Sequence, residues 1–220
     1  MTEANAIHAG AKGRKILLQL LLGGLCGGLG MFAALTFFEA QSQTRVEPTQ
    51  ALALGVAIVF GLMGLFVGLG VLAPGVGART LNVEDGEELQ EQRSVLLVGA
   101  VSFLLVALLV GALTLGGSSE LPGLIGESEA ALIAALATLA LTAWSVIHRN
   151  KGDEMMRVAS KEAAALTTNL IFLVFATWAG AAHLGLVPMF EPLLFVAGYF
   201  ALYLLAVFIA VGRRGLLNPR

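Results

Sequence analysis

Residues 51–73 read ALALGVAIVFGLMGLFVGLGVLA, and these 23 positions contain no charged side chain. An α-helix rises about 1.5 Å per residue, so a helix of this length can cross a hydrocarbon core of roughly 30 Å. In lipid, a segment without water has to satisfy its backbone hydrogen bonds internally, which favours a helix. The stretch therefore predicts a transmembrane helix.

Five further stretches of the chain share this character. The 220 residues are 57% hydrophobic and only 13% charged, with a mean hydropathy of +0.86, which is typical of a polytopic membrane protein. The six predicted spans are 16–38, 51–73, 95–115, 130–147, 163–186 and 193–211. The first is longer than the apolar core of a signal peptide, usually about 7–15 residues, and we interpret it as a retained helix. The connecting loops are short, so we expect a single membrane domain over residues 1–220, an all-α bundle of six transmembrane helices.

The basic residues lie almost entirely on one side of these spans. With six spans, the two termini and the loops 74–94 and 148–162 share one face, which holds 12 of the 13 Lys and Arg residues, whereas Arg45 lies on the other face. Because Lys and Arg in short loops mark the cytoplasmic side, both termini are predicted to be cytoplasmic. The small size, the short loops and the absence of glycosylation sequons favour the inner membrane of a bacterium.

Two charged segments interrupt the apolar sequence on this face: NVEDGEELQEQR at 82–93 and NKGDEMMRVASKE at 150–162. The first lacks the ligand spacing of a calcium loop, and we predict no metal site. We interpret both segments as solvated helical extensions, with Asp153 as an N-cap and as an ion-pair partner of Arg157. Docking of a cytosolic partner is the functional alternative. The residues that would carry this docking are Glu87, Glu88, Glu91, Asp153, Glu154 and Arg157.

The two charged segments also share a short pattern, GEEL at 86–89 and GDEM at 152–155. This pattern is compatible with a duplicated two-helix unit, in which the second and third spans match the fourth and fifth.

Glycines recur at helical spacing in the first two spans. Such patterns allow helix backbones to approach closely, where packing and not hydrophobicity drives association. We predict that these two spans pack tightly on each other or on neighbouring helices, with a helix of another protein as the alternative. The predicted packing residues are Gly23, Gly24, Gly27, Gly28, Gly61, Gly64 and Gly68.

Ionisable side chains are nearly absent from the spans, where only His183 lies near one end. This argues against a proton-coupled pump, a voltage sensor and most carriers of charged substrates. His148 and His183 are expected at opposite membrane faces, so they cannot share one haem or metal, and no cofactor is predicted. The hydroxyls of Thr167 and Thr168 are expected to bond to their own helix, whereas Asn169 is expected to find an interhelical partner.

A pocket for an apolar ligand such as a lipid is one interpretation of the remaining polar and aromatic residues. Core packing is the alternative for the aromatic ones, and an interfacial position is the alternative for His183. The candidate ligand-binding residues are Asn169, Trp178, His183, Tyr199 and Tyr203.

Three classes of function remain open on these grounds. The first is a structural or accessory protein that packs, within the lipid bilayer, with helices of another membrane protein or of a second copy and docks a cytosolic partner. The second, the alternative, is a small carrier or channel for a neutral or lipid-like solute. The third is an intramembrane enzyme, which ranks last because no cluster of reactive groups is expected at one depth, so no catalytic residue is assigned. No nucleic-acid partner is expected.

Overall fold

The computed structural model describes residues 36, 47–75, 77, 81, 86–116, 125–148 and 152–215. Within these residues the regular structure is helical and no strand occurs. Five helices are long and apolar enough to cross a membrane, which fits a multi-pass membrane protein. The first predicted span, 16–38, lies outside the described residues except for Thr36, and its four glycines lie outside them too. The count of six spans and the orientation of the termini therefore stay predictions.

The helices match the second to sixth predicted spans. They are α1 (Pro48–Leu72), α2 (Gly86–Gly116), α3 (Glu127–His148), α4 (Glu154–Ile171), a π-helical segment (Phe172–Ala176), α5 (Thr177–His183) and α6 (Pro192–Arg213). The fifth predicted span lies in one continuous helix, Glu154–His183, made of α4, the π segment and α5. The helices α2 and α4 begin at Gly86 and Glu154, well before their apolar segments, because much of each charged segment is helical.

Local sequence explains where several helices begin. Pro48 and Pro192 each occupy the first helical position, where the missing N–H removes no intrahelical bond. The start of α4 is capped by Asp153, whose carboxylate accepts a hydrogen bond of 2.7 Å from the backbone N–H of Met156. The predicted N-cap is therefore confirmed.

The cap changes the ion pairing that the sequence predicts for this turn. The carboxylate of Asp153 is engaged by the helix end, and Arg157 pairs instead with Glu154, three residues before it. The expected pair between Asp153 and Arg157 is replaced by this neighbouring one.

The core lies where α1, α2 and α6 meet. The ring of Phe60 packs edge-on against Phe103 of α2, with centroids 5.7 Å apart, and against Phe200 of α6, with centroids 6.0 Å apart. These helices bury Ala53, Ala57, Phe60, Val106, Val110 and Ala197 in one cluster. Farther out, α3 packs on α2 and α4 packs on α6. The helices thus form a row, α3–α2–α1–α6–α4, in which α6 also touches α2.

The outer helices of this row bury only one side. In α3 the buried residues are Ala130, Ala134 and Ala137, whereas Leu136 and Leu139 are exposed. The spacing of the buried residues is that of one helix face. In a bilayer the exposed apolar side of α3 is the side that lipid would cover.

In the core, α1 and α2 approach each other closely at Gly64. A β-carbon there would lie 2.8 Å from Cγ of Leu104 and 3.0 Å from the backbone oxygen of Ala100. At Gly61 and Gly68 the nearest atoms of α2 would lie at 3.6 Å and 3.8 Å, which is ordinary van der Waals contact. Only at Gly64, among these three positions, would a side chain overlap Leu104 and press on the backbone of α2.

We expect Gly64→Leu to lower the free energy of unfolding by about 1–3 kcal/mol, the usual effect of overpacking a close contact. The measurement is the melting temperature of the purified protein in mild detergent. Gly99→Leu is the matched control, because Gly99 is also helical and a β-carbon there would meet no atom of the described residues within 4 Å. Equal melting temperatures for both variants and the wild type would show that the close approach at Gly64 does not stabilise the fold.

Candidate functional site

The π segment changes which side of its helix faces α6. Before it, Ala159, Ala163 and Thr167 are buried at a spacing of four residues. Eight residues of regular α-helix turn by about 800°, which would carry Phe175 about 80° away from Thr167. A π-bulge adds one residue to the turn and removes about 100° of that rotation. Phe175 therefore stays on the buried side and is only 7% exposed.

Around Phe175 the structure gathers an aromatic cluster that consists of Phe175, Trp178, Phe190 and Phe195. The ring of Phe175 meets Phe195 at 4.9 Å and Phe190 at 5.2 Å between centroids, in edge-on geometry. A β-carbon at Gly198 would lie 2.6 Å from Cζ of Phe175, so the ring fits against α6 because residue 198 has no side chain. The cluster joins the π segment, α5, the following loop and α6.

Two of the five candidate ligand residues bear on this end of the molecule. The indole Nε1 of Trp178 donates a hydrogen bond of 2.9 Å to the carbonyl oxygen of Pro188, and its ring packs against Phe190. Trp178 thus holds the loop after α5 through one hydrogen bond and one ring contact. His183 is the last residue of α5 and is exposed.

The other candidates lie elsewhere. Tyr199 is exposed and its ring packs edge-on against Phe200, while Tyr203 is half-buried one turn farther along α6. Asn169 and His183 are separated by 14 residues of one helix, or about 21 Å along its axis. The five residues therefore do not surround one small ligand.

Asn169 has the least expected surroundings of these residues. It lies in the apolar part of α4 and is exposed, and within the described residues its carboxamide has no hydrogen-bond partner. Its neighbours differ, because Thr167 donates to the Ala163 carbonyl at 2.7 Å and Thr168 to the Ala164 carbonyl at 3.0 Å. The prediction for both threonines is confirmed. The interhelical partner expected for Asn169 is not found in the described part of the chain.

The acidic segment before α2 rests on one buried side chain. Leu89 is 2% exposed, and a β-carbon at Gly77 would lie 2.9 Å from its Cδ2. On the other side of the turn Glu87 and Glu91 are exposed, and Glu88 accepts a hydrogen bond of 2.8 Å from the amide of Gln92. The first turns of α2 are thus anchored by an apolar residue and present carboxylates outward.

An ion pair that the sequence analysis did not single out ties the start of α4 to the end of α6. Glu162 precedes the apolar segment, and its Oε2 accepts from Nη2 and Nε of Arg214 at 2.7 Å and 3.2 Å. Nη1 of Arg213 lies 3.6 Å from Oε1. The hydrogen bond from Arg214 lowers the pKa of the Glu162 carboxyl below its ordinary value of 4.5. The sequence signal for this pair was an acidic residue just before the fifth span and two basic residues just after the sixth.

No metal site accompanies these groups in the part of the chain that the structure describes. Three or more His, Cys, Asp or Glu side chains do not come together anywhere in it.

The ion pair of Glu162 should make stability depend on pH in a defined direction. A carboxyl whose pKa is lowered by folding stabilises the fold above its unfolded pKa, near 4.5, and loses that effect as pH falls through the folded value. We therefore expect Glu162→Gln to melt below the wild type at neutral pH, with the difference vanishing as pH falls well below 4.5.

Glu154→Gln is the control for this pH series, because among the described residues Glu154 forms its ion pair within α4, with Arg157. Melting temperatures in detergent across the pH range measure both variants. A pH-independent difference for Glu162→Gln would show that the pair with Arg214 is not its source.

Because Phe175 fits against Gly198, a smaller side chain at position 175 should compensate for a larger one at position 198. Gly198→Ala should destabilise the fold, because the new methyl group would overlap the ring. Phe175→Leu should remove the overlap, so we expect the double variant to be more stable than Gly198→Ala alone. Melting temperatures of the two single variants and the double variant form the cycle. Strictly additive effects would contradict a direct contact.

No protein-family model matches the chain, and neither a curated protein nor a solved structure matches it.

Proposed function

We propose that this chain is an integral membrane protein of accessory type that binds a transmembrane helix of another membrane protein through the exposed face of α4. The observation that carries the proposal is the carboxamide of Asn169, exposed in an apolar helix without a hydrogen-bond partner among the described residues. Lipid can cover the apolar side chains of this face, but it cannot satisfy an amide.

Asn169 lies deep enough in the apolar segment that an amide without a hydrogen-bond partner costs free energy. Asn169 lies six residues past the start of the apolar segment at Ala163, or about 9 Å along the helix. Its side chain has a single methylene, so it cannot reach the headgroup region as Lys or Arg does. An amide without a partner in an apolar medium costs roughly 2–7 kcal/mol, which favours any neighbour that can pair with it.

The surroundings of Asn169 suit a partner helix. Ala165, one turn before it, is exposed and small, so a second backbone can come close there. Phe172 and Leu173, one turn after it, are exposed and provide apolar contact area. The helix is the outermost of the row, since its packing with other helices in the described part of the chain is with α6. An amide both donates and accepts, so it can pair with a polar side chain of the incoming helix.

The carrier interpretation needs polar groups that are free to line a path. In α3 and α4 the hydroxyls of Thr138, Thr142, Thr167 and Thr168 all donate to carbonyl oxygens of their own helix. The donor proton of each hydroxyl is therefore already used, which leaves only acceptor lone pairs to line a path and supports the accessory role over the carrier.

The proposal also includes the side of the membrane on which the charged segments lie, and a soluble partner on that side. The distribution of Lys and Arg favours a cytoplasmic position for both charged segments, in the inner membrane of a bacterium. There Glu87 and Glu91 face outward from a turn anchored by Leu89, a fixed acidic surface that a basic cytosolic protein would fit. Glu88, Asp153, Glu154 and Arg157 complete the charged set.

Affinity purification from native membranes in mild detergent, with quantitative mass spectrometry, tests the proposal. We expect Asn169→Leu to reduce the recovery of a membrane partner by about tenfold, since an interhelical hydrogen bond contributes about 1–2 kcal/mol. Asn169→Gln should retain the partner because it keeps the amide. Thr168→Val is the matched control, because its hydroxyl already bonds to the Ala164 carbonyl. Replacing Glu87, Glu88 and Glu91 by Gln should deplete soluble proteins only.

Three results would contradict this proposal. One is a membrane partner recovered equally with Asn169→Leu and wild type, which would remove α4 as the binding face. Another is a homo-oligomer that dissociates in Asn169→Leu, which would make a second copy the partner. The third is a defined lipid or solute retained without any protein, which would favour the carrier.

A further inference from the structure

The loop of residues 184–191, here called the α5–α6 loop, is held in place at its start. The N–H of Leu186 donates to the Ala181 carbonyl and the N–H of Gly185 to the Ala182 carbonyl, both at 3.0 Å. Gly185 has a φ of +74°, a conformation that favours glycine. These bonds form a Schellman motif, which ends α5 in a defined geometry.

The middle and the end of the loop are held as well. Trp178 donates to the carbonyl oxygen of Pro188, and Phe190 packs against Phe175 and Trp178 in the aromatic cluster. Glu191 is extended and leads directly into Pro192 at the start of α6. The loop therefore has a fixed shape, and its backbone determines which side chains lie on the outside.

Those outward side chains are large and apolar. Leu184 is 73% exposed, Leu186 is 74% exposed and Met189 is 65% exposed, and Val187 is exposed too. Residues 184–190 read LGLVPMF and contain no polar side chain. A surface loop ordinarily runs through water, and a contiguous apolar patch on a fixed loop marks an interaction site.

The lipid bilayer is the partner that the position of the loop favours. Phe172 and Leu173, on the helix that leads to the loop, also expose apolar side chains, in the segment predicted to span the membrane. Trp178, beneath the loop, is a residue typical of the membrane–water boundary. Exposed His183 and Glu191 flank the apolar stretch at both ends, as expected where the chain enters and leaves an interface.

Backbone hydrogen bonding limits how deep the loop can lie. The N–H groups of Gly185 and Leu186 are satisfied, and Pro188 has no N–H. Within the described residues the N–H groups of Val187 and Met189 have no partner, so they need water or headgroup oxygens. This excludes the hydrocarbon centre and leaves the boundary between headgroups and acyl chains.

We propose that the α5–α6 loop inserts Leu184, Leu186, Val187 and Met189 into the lipid at this boundary and anchors its end of the bundle there. The partner is the phospholipid leaflet itself. This anchor is independent of the partner helix proposed for Asn169, which lies about 21 Å from His183 along the helix axis.

The test places one spin label at a time on the full chain, reconstituted in vesicles of phosphatidylcholine and phosphatidylglycerol. Cys26 is the single cysteine, so Cys26→Ser provides the background. Leu186→Cys and Met189→Cys report on the loop. Ser128→Cys is the matched control, because Ser128 is exposed near the start of α3, at the same end of the alternating helices. Collision rates with oxygen, which prefers lipid, and with a nickel chelate, which prefers water, are compared.

We expect the label at 186 to collide several-fold more with oxygen than with nickel, relative to the label at 128. The label at 189 should agree with 186. A nickel accessibility at 186 equal to that at 128 would overturn the proposal, since the loop would then lie in water. Low accessibility to both reagents would also overturn it, because a second copy of the chain, not lipid, would cover the loop.

Discussion

The close approach of the α1 and α2 backbones at Gly64 is the contact on which the rest of the bundle depends. One turn earlier on α1, Phe60 sits where α2 and α6 both meet it, with Phe103 and Phe200 edge-on to its ring. A wider separation of α1 and α2 would open the contact between Phe60 and Phe103. Because α3 packs on α2 and α4 packs on α6, every outer helix is placed through this centre. Packing, and not removal of apolar surface from water, has to hold such a centre together in lipid.

In the described part of the chain, polar links between elements lie near the ends of the apolar segments. Trp144 of α3 donates to the Val98 carbonyl of α2 at 3.2 Å. Glu162 and Arg214 join α4 and α6 at the same end of the bundle, and Trp178 bonds to Pro188 at the other. Between these ends, six hydroxyls donate to carbonyl oxygens of their own helices: those of Ser102, Thr114, Thr138, Thr142, Thr167 and Thr168. Asn169 departs from this arrangement, and that departure is why its exposed amide points to a further helix.

The sequence was sufficient for the features that depend on a short stretch of chain. The length and apolarity of 51–73 predict α1, and the order Asp153–Glu154 before an apolar run predicts the cap of α4. The hydrogen bonds from the threonine hydroxyls to carbonyls of their own helix follow from helix geometry alone. Features that depend on which helices are neighbours could not be predicted. The pair of Glu162 and Arg214 requires α4 beside α6, and the exposure of Asn169 requires α4 at the edge of the row.

The aromatic cluster was missed for the same reason and for one more. Trp178 was recognised as a candidate ligand residue, but its bond to Pro188 needs the exact path of the loop. Phe175 reaches Gly198 only because the π segment changes the rotation of the helix, and FLVFA has no compositional sign of a π turn. A single sequence carries no direct signal for that extra residue.

The π segment determines what the deletion of a single residue would do to this end of the protein. It sets the rotation of α5 independently of α4, so α4 can rest on alanines while α5 and the loop rest on aromatic rings. Deletion of one residue within Phe172–Ala176 would restore a regular helix and turn α5 by about 100° relative to α4. Ala159, Ala163 and Thr167 would still pack on α6. Trp178, in contrast, would turn away from Pro188. In a helix that packs on α6 along one side and exposes apolar residues on the other, this short stretch is where a change of one residue would alter the shape of one whole end of the protein.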